Sequence, residues 1–152
     1  MNIFISWSGP TSKAVAEALR DWLKLVIQAL DPWISPDIEK GARWSAELAA
    51  QLGNAKTGII CLTPDNLEVP WILFEAGALS KTLENTYVCP YLFRVEPANL
   101  KGPLAQFQAT RAEKEETRKL MHTVNRALKE DGLAEPLLNR AFRFAPEPAL
   151  PR

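Results

Sequence analysis

Histidine is all but missing from this sequence, with His122 its single instance, and cysteine is limited to Cys61 and Cys89. So few imidazole and thiolate ligands leave little material for zinc chemistry or for histidine-based acid–base catalysis. Both cysteines sit in apolar runs, which suits small buried hydrophobes in a reducing compartment better than a disulfide framework or a metal site. Net charge is absent too. Eighteen basic and 18 acidic residues cancel without a long single-sign run, so neither nucleic acid nor an anionic membrane surface is implied as a partner. No stretch approaches the apolar length of a membrane span. The chain also enters a strand-like run almost at once, without the basic start and apolar core of a signal peptide. The expectation is a cytoplasmic domain.

What is present is apolar residue in quantity, 47% of 152, enough for one domain with one sizeable core. Asn2 to Ser6 reads as a first strand, closed by the turn residues Ser6-Trp7-Ser8-Gly9-Pro10. Val15, Leu19, Trp22, Leu23, Val26, Ile27 and Leu30 keep helical spacing, which predicts an amphipathic helix over 11–30. Pro32 to Ser35 is a brief second strand, followed by a charged loop (Pro36 to Arg43) and a helix carrying Trp44, Leu48 and Leu52. Thr57 to Leu62 is a nearly continuous apolar run, the mark of a strand buried on both faces. Tyr87 to Phe93 makes a fourth strand despite Pro90, and Gln106 to Thr110 a short edge strand. Arg111 to Glu130 is a last charged helix with Leu120, Met121, Val124 and Leu128 as its buried stripe.

Strands alternating with helices in this way predict an α/β fold: a flavodoxin-like three-layer sandwich with a five-stranded parallel sheet in the order 2-1-3-4-5. The domain is expected over 1–132. Residues 133–152 end in a Pro-rich stretch and read as a C-terminal tail or linker.

One stretch stands out chemically. From Pro70 to Lys81 a single carboxylate, Glu75, sits in an otherwise apolar helical pattern, with Pro70 suited to the first helical position and Trp71 one turn before Glu75 on the same face. In doubly wound sheets, ligands bind beyond the carboxyl ends of the strands, where the winding reverses between strands one and three. That rule selects the Ser6 to Pro10 loop and the Thr63 to Glu75 segment, with the Asp37 to Trp44 loop able to fold over them.

These residues resemble the Toll/interleukin-1 receptor (TIR) domain family, in its bacterial, NAD-cleaving form. The likeness covers roughly Met1 to Leu128. It rests on Phe4-Ile5-Ser6-Trp7-Ser8, on Asp37-Ile38-Glu39-Lys40-Gly41 with Trp44, on Cys61-Leu62-Thr63 leading to Trp71-x-x-x-Glu75, and on Gln106-Phe107-Gln108. Trp7 stands where the family more often has tyrosine. The resemblance implies one of two functions. Some TIR domains are enzymes that cleave the nicotinamide–ribose bond of NAD+, and others are adaptors that act only through TIR–TIR contacts. On the enzymatic reading Glu75 is catalytic, stabilising the ribosyl cation as neutral nicotinamide departs. Trp44 and Trp71 are then candidates to stack on the nicotinamide or adenine ring. Ser6, Ser8 and Gly9 could meet the ribose or phosphates beside Trp7, while Lys40 and Arg43 could pair with the diphosphate around Gly41.

NAD+ would be substrate, with no cofactor and no metal, and the partners would be NAD+ and further copies of the chain. The resemblance extends to bacterial anti-phage defence by NAD+ depletion, switched on by self-association. A two-component receiver domain would need an acidic pair after strand one and an aspartate ending strand three, where Ser6-Trp7-Ser8 and Leu62-Thr63-Pro64 stand instead. A nucleoside deoxyribosyltransferase is the closer rival on the same fold.

Overall fold

Short β-prone runs and amphipathic helices make up the computed structural model, which describes residues 2–35, 55, 57–67, 87–101, 105 and 107–152. The described elements are β1 (Asn2–Ser6), α1 (Pro10–Val26), β2 (Asp31–Ile34), β3 (Thr57–Leu62), β4 (Tyr87–Leu92), β5 (Thr110–Arg111), α2 (Lys114–Ala127) and α3 (Glu135–Phe144). The strands form one sheet in the order β2-β1-β3-β4-β5, and every pairing is parallel. This is the expected flavodoxin-like order. All six residues of the central strand β3 are buried, so its unbroken apolar run is explained by cover on both faces.

Side-chain alternation along the strands builds two cores. On one face Ile3, Ile5, Ile59, Cys61, Cys89 and Tyr91 pack with Val15, Leu19, Leu23 and Val26 of α1 and with Leu120, Met121 and Val124 of α2. On the other, Phe4, Ile60, Leu62, Val88 and Leu92 pack together with Trp33, whose ring centroid lies 5.3 Å from that of Phe4. Helix α1 stops at Val26, short of the expected Leu30, because Ile27 turns to an extended backbone (φ −132°). Ile27 and Leu30 stay buried in the same core, so the helical spacing persists past the helix itself.

Pro90 costs the ladder nothing. Phe93 N–H donates to Leu62 and Ala112 N–H to the Leu92 carbonyl, so the odd residues of β4 bond towards β3 and the even ones towards β5. The N–H that Pro90 lacks would face β5, which pairs only from Tyr91 onward. Strand β5 is the two residues Thr110–Arg111, and Phe107 to Ala109 of the expected edge strand lie outside it.

The structure corrects the reading of residues 133–152 as a tail or linker. Asn125 bonds Leu133 twice, its amide donating to the Leu133 carbonyl (2.7 Å) and its side-chain oxygen accepting from Leu133 N–H (2.8 Å). That turns the chain into α3, whose Leu138 and Phe142 enter the core. The Phe142 ring stacks on Trp22 of α1 at 6.2 Å, with an interplanar angle of 12°. Trp22 Nε1 donates to the Ala145 carbonyl at 2.7 Å, clasping the end of α3 to α1. The periodic signal was present as Leu138, Ala141, Phe142 and Ala145, but over one short helix next to a Pro-rich run. Phe142→Ala is expected to lower unfolding free energy by about 3 kcal/mol or more in chemical denaturation. A loss under about 0.5 kcal/mol would make α3 a detachable appendage.

Cys61 and Cys89 are unpaired and buried, as their apolar surroundings led us to expect. Burial pushes the Cys89 thiol up to about 11 against the donor–acceptor contact with Thr110, and raises Cys61 and the Tyr91 phenol as well. The folded state therefore holds these protons to higher pH than the unfolded chain does. Stability contributed by the neutral thiol is intact below the ordinary value of 9.0 and declines as pH rises towards about 11. Denaturation midpoints measured across that window should fall with pH, and Cys89→Ala should flatten the fall.

Candidate functional site

Strands β1 and β3 are neighbours, yet they pair only as far as Ser6 opposite Ile60. Beyond that point one chain goes on to α1 and the other into the Thr63 to Leu67 turn, which places the carboxyl-end crevice of the sheet between them.

The loop after β1 is held from both sides. Ser6 is fully buried and Trp7 is 5% exposed. The Trp7 indole N–H donates to the Ser35 carbonyl at 2.7 Å, and Ser35 N–H donates to the Ile5 carbonyl, so the end of β2 is tied to the end of β1. Lys13 on the first turn of α1 lies 5.4 Å from the Trp7 ring centroid. Trp7 is thus a packed wall residue, with its N–H already engaged. Ser8 and Gly9 are half-buried and stand at the surface of the loop. The Ser35 hydroxyl is buried without a hydrogen-bond partner, an orphan polar atom at the point where the chain leaves β2.

On the β3 side, Ser8 N–H donates to Ser12 Oγ at 3.1 Å and Ser12 Oγ donates to the Cys61 carbonyl at 2.8 Å. Asn66 Nδ2 reaches both the Ser8 carbonyl (3.0 Å) and the Cys61 carbonyl (3.2 Å), while Asn66 Oδ1 accepts from Thr63 N–H at 2.8 Å. Asn66 is 1% exposed, and both of its amide N–H donors as well as its oxygen are engaged. Sequence reasoning passed over Ser12 and Asn66, since a serine in a first helical turn and an asparagine after Pro-Asp look like ordinary capping and turn chemistry.

Gly9 is required where it stands. Its backbone (φ 87°, ψ 162°) belongs to a region used almost only by glycine, and a Cβ there would lie 3.2 Å from Asp65 Oδ2. Helix α1 has neither a side-chain cap nor an acidic residue in its first turn, and the Asp65 carboxylate, held by the Thr63 hydroxyl, supplies the missing negative charge from outside. With that charge in place, the α1 N-terminus suits a hydroxyl-bearing ligand better than a phosphate.

Of the residues singled out in the sequence, the structure brings Ser6, Trp7, Ser8 and Gly9 to the crevice. Glu75, Trp71, Lys40, Gly41, Arg43, Trp44 and Asp37 lie outside the described residues. A separate cavity of about 140 Å³, lined in part by Tyr87, Gln108, Thr110, Glu116 and Lys119, opens beside β4 and β5 and, among the described residues, shares none with the crevice. Gly9→Ala should cost about 1–3 kcal/mol in thermal or chemical unfolding from backbone strain, whereas a relaxed loop would absorb the methyl group with no measurable change.

Comparison with known proteins agrees with this geometry. The TIR domain family matches residues 3–124, which spans all five strands and most of α2 and leaves α3 outside the match. A search of curated proteins finds no match. Among solved structures, the chain is similar to the TIR domains of the activated Roq1 resistosome that directly recognises the pathogen effector XopQ. The likeness has a TM-score of 0.53 at 14% identity and covers 96% of this chain and 86% of that one. At such identity the similarity is one of fold. The family match covers most of the chain and the sheet has the family's order, so this protein belongs to the TIR domain family.

Proposed function

We propose that this TIR domain is an NAD+ nucleosidase that cleaves the nicotinamide–ribose bond to give nicotinamide and ADP-ribose, linear or cyclic. The observation that carries the reading is the course of the chain at the crevice. It leaves β3 through Thr63 to Leu67, and the sequence then runs, within the family match, to Trp71 and Glu75, the one carboxylate between Pro70 and Lys81. Nicotinamide departs as a neutral molecule from a pyridinium, so the reaction needs no general acid. What needs stabilising is the positive charge that develops on the ribose, and one carboxylate in a water-poor crevice does that. Glu75 takes this role and accepts hydrogen bonds from the ribose hydroxyls. Ser8 and Gly9 meet the ribose, Trp44 and Trp71 stack on the rings, and Lys40 and Arg43 around Gly41 take the diphosphate. Ser6 and Trp7 support the loop from beneath.

Self-association completes the reading. The fold neighbour's TIR domains belong to an activated assembly, and the same arrangement here would switch on NAD+ depletion, as an effector of bacterial anti-phage defence. The second reading is an adaptor that acts through TIR–TIR contacts alone. It is favoured by the Ser8 peptide, whose N–H and carbonyl are both taken by Ser12 and Asn66.

Glu75→Gln separates the two readings. It keeps the shape and removes the charge, so NAD+ turnover per folded molecule should drop by about 10²–10⁴-fold while stability shifts by no more than about 0.5 kcal/mol. The assay is nicotinamide release resolved by chromatography, at high protein concentration. Equal rates in wild type and variant, or no release from either, would leave the adaptor.

A further inference from the structure

The β1–β3 ladder has a definite next bond. Leu62 uses its carbonyl towards β4, so Cys61 presents its own towards β1. Extending the register from Ser6 opposite Ile60 would bring Ser8 N–H to the Cys61 carbonyl. That bond is not made. Ser12 Oγ stands between the two groups, accepting from Ser8 N–H and donating to Cys61. Beside it, Asn66 Nδ2 bridges the Cys61 and Ser8 carbonyls, closing a ring of four hydrogen bonds through Ser8, Ser12, Cys61 and Asn66. Two buried side chains are wedged where two strands would otherwise zip together.

We infer that Asn66 is the positioning residue of the crevice: its carboxamide sets the separation between the loop after β1 and the turn after β3. This rests on the NAD+ nucleosidase reading only for what the separation is for. Asn66 is the one member of the ring that comes from the turn itself, and it is anchored there twice. Its side chain accepts from Thr63 N–H, and its own N–H donates to the Thr63 carbonyl at 3.1 Å. The Ser8 carbonyl is its only point of attachment across the crevice within the ring. Asn66 would touch no substrate. It acts through Ser8 and Gly9 on one wall and through the chain direction after Thr63 on the other. A shift of about 1 Å between the two walls is enough to cost about 10²-fold in rate.

The chemistry of the ring offers a discriminating substitution. Asn66→Asp preserves shape and the bond from Thr63 N–H, but it turns a carboxylate oxygen towards the carbonyls of Ser8 and Cys61. Protonating the new carboxyl restores one donor. Asn66→Ala removes the bridge at every pH.

The experiment measures NAD+ turnover per folded molecule and site-resolved amide hydrogen exchange, on the full chain, for wild type, Asn66→Ala and Asn66→Asp. Positioning predicts that kcat falls about 10- to 100-fold in Asn66→Ala with a much smaller change in KM. It predicts that Asn66→Asp recovers towards wild type as pH is lowered, and that Ser8 N–H exchange quickens more than about tenfold while Ile59 and Ile60 in β3 keep their protection. A merely structural role would lower protection across the sheet together and leave turnover per folded molecule within about twofold, with no recovery of Asn66→Asp, and that result would overturn the inference. If wild type releases no nicotinamide, the proposed function falls by itself. The separation is then judged on the exchange of Ser8 alone, and unchanged protection there in Asn66→Ala would overturn it.

Discussion

A parallel sheet cannot be joined by tight hairpins. Each strand must be followed by a crossover that returns the chain to the same end, and the crossovers cover the faces. From that constraint comes the rest of this molecule. β3 is buried at every position because it lies at the centre, and its alternate side chains feed two separate cores. All strands point the same way, so all their carboxyl ends emerge together. The order β2-β1-β3 sends the chain to opposite sides of β1, and the crevice opens where the two directions part.

What happens in that crevice is decided by hydrogen-bond accounting. At the end of a ladder the last carbonyl and N–H still need partners, because burial without them is costly. Here the Cys61 carbonyl and both peptide groups of Ser8 are satisfied by Ser12 and Asn66, two side chains that no strand supplies. The outcome is a loop after β1 and a turn after β3 that are held to one another by their own hydrogen bonds. Trp7 does for the end of β2 what Asn66 does for the end of β3, through a single bond to Ser35. The loop after β1 is therefore the hub through which three strand ends are related.

The far side of the molecule shows a different economy. Helix α3 lies beyond the family match, yet it closes the core with Leu138 and Phe142 and ties back to α1 through Trp22. Its apolar side is incomplete on its own, and only packing against α1 and α2 gives it a reason to form. The buried thiols and the Tyr91–Thr117 hydroxyl pair (2.9 Å) under the same face belong to this packing and not to chemistry.

The sequence alone determined the five strands, the centrality of Thr57 to Leu62 and the parallel order. These depend on periodicity and composition, which are local and repeated often enough to be legible. Boundaries were less legible where apolar spacing outlives the element, as at Ile27 and Leu30, or where a strand is only two residues long, as at Thr110–Arg111. Helix α3 was hidden for a related reason: one short periodic run beside Pro146, Pro148 and Pro151 looks like the start of a tail. In the site, sequence pattern pointed to the loop after β1 and to the segment after β3, but it did not separate Trp7 as wall from Ser8 and Gly9 as surface, nor single out Ser12 and Asn66. Only the tertiary structure decided those roles. A hydroxyl or a carboxamide has the same local preferences wherever a turn occurs, and its function is set by which distant carbonyl it meets. For Ser12 that carbonyl is 49 residues away in the chain, and for Asn66 the second one is 58 away.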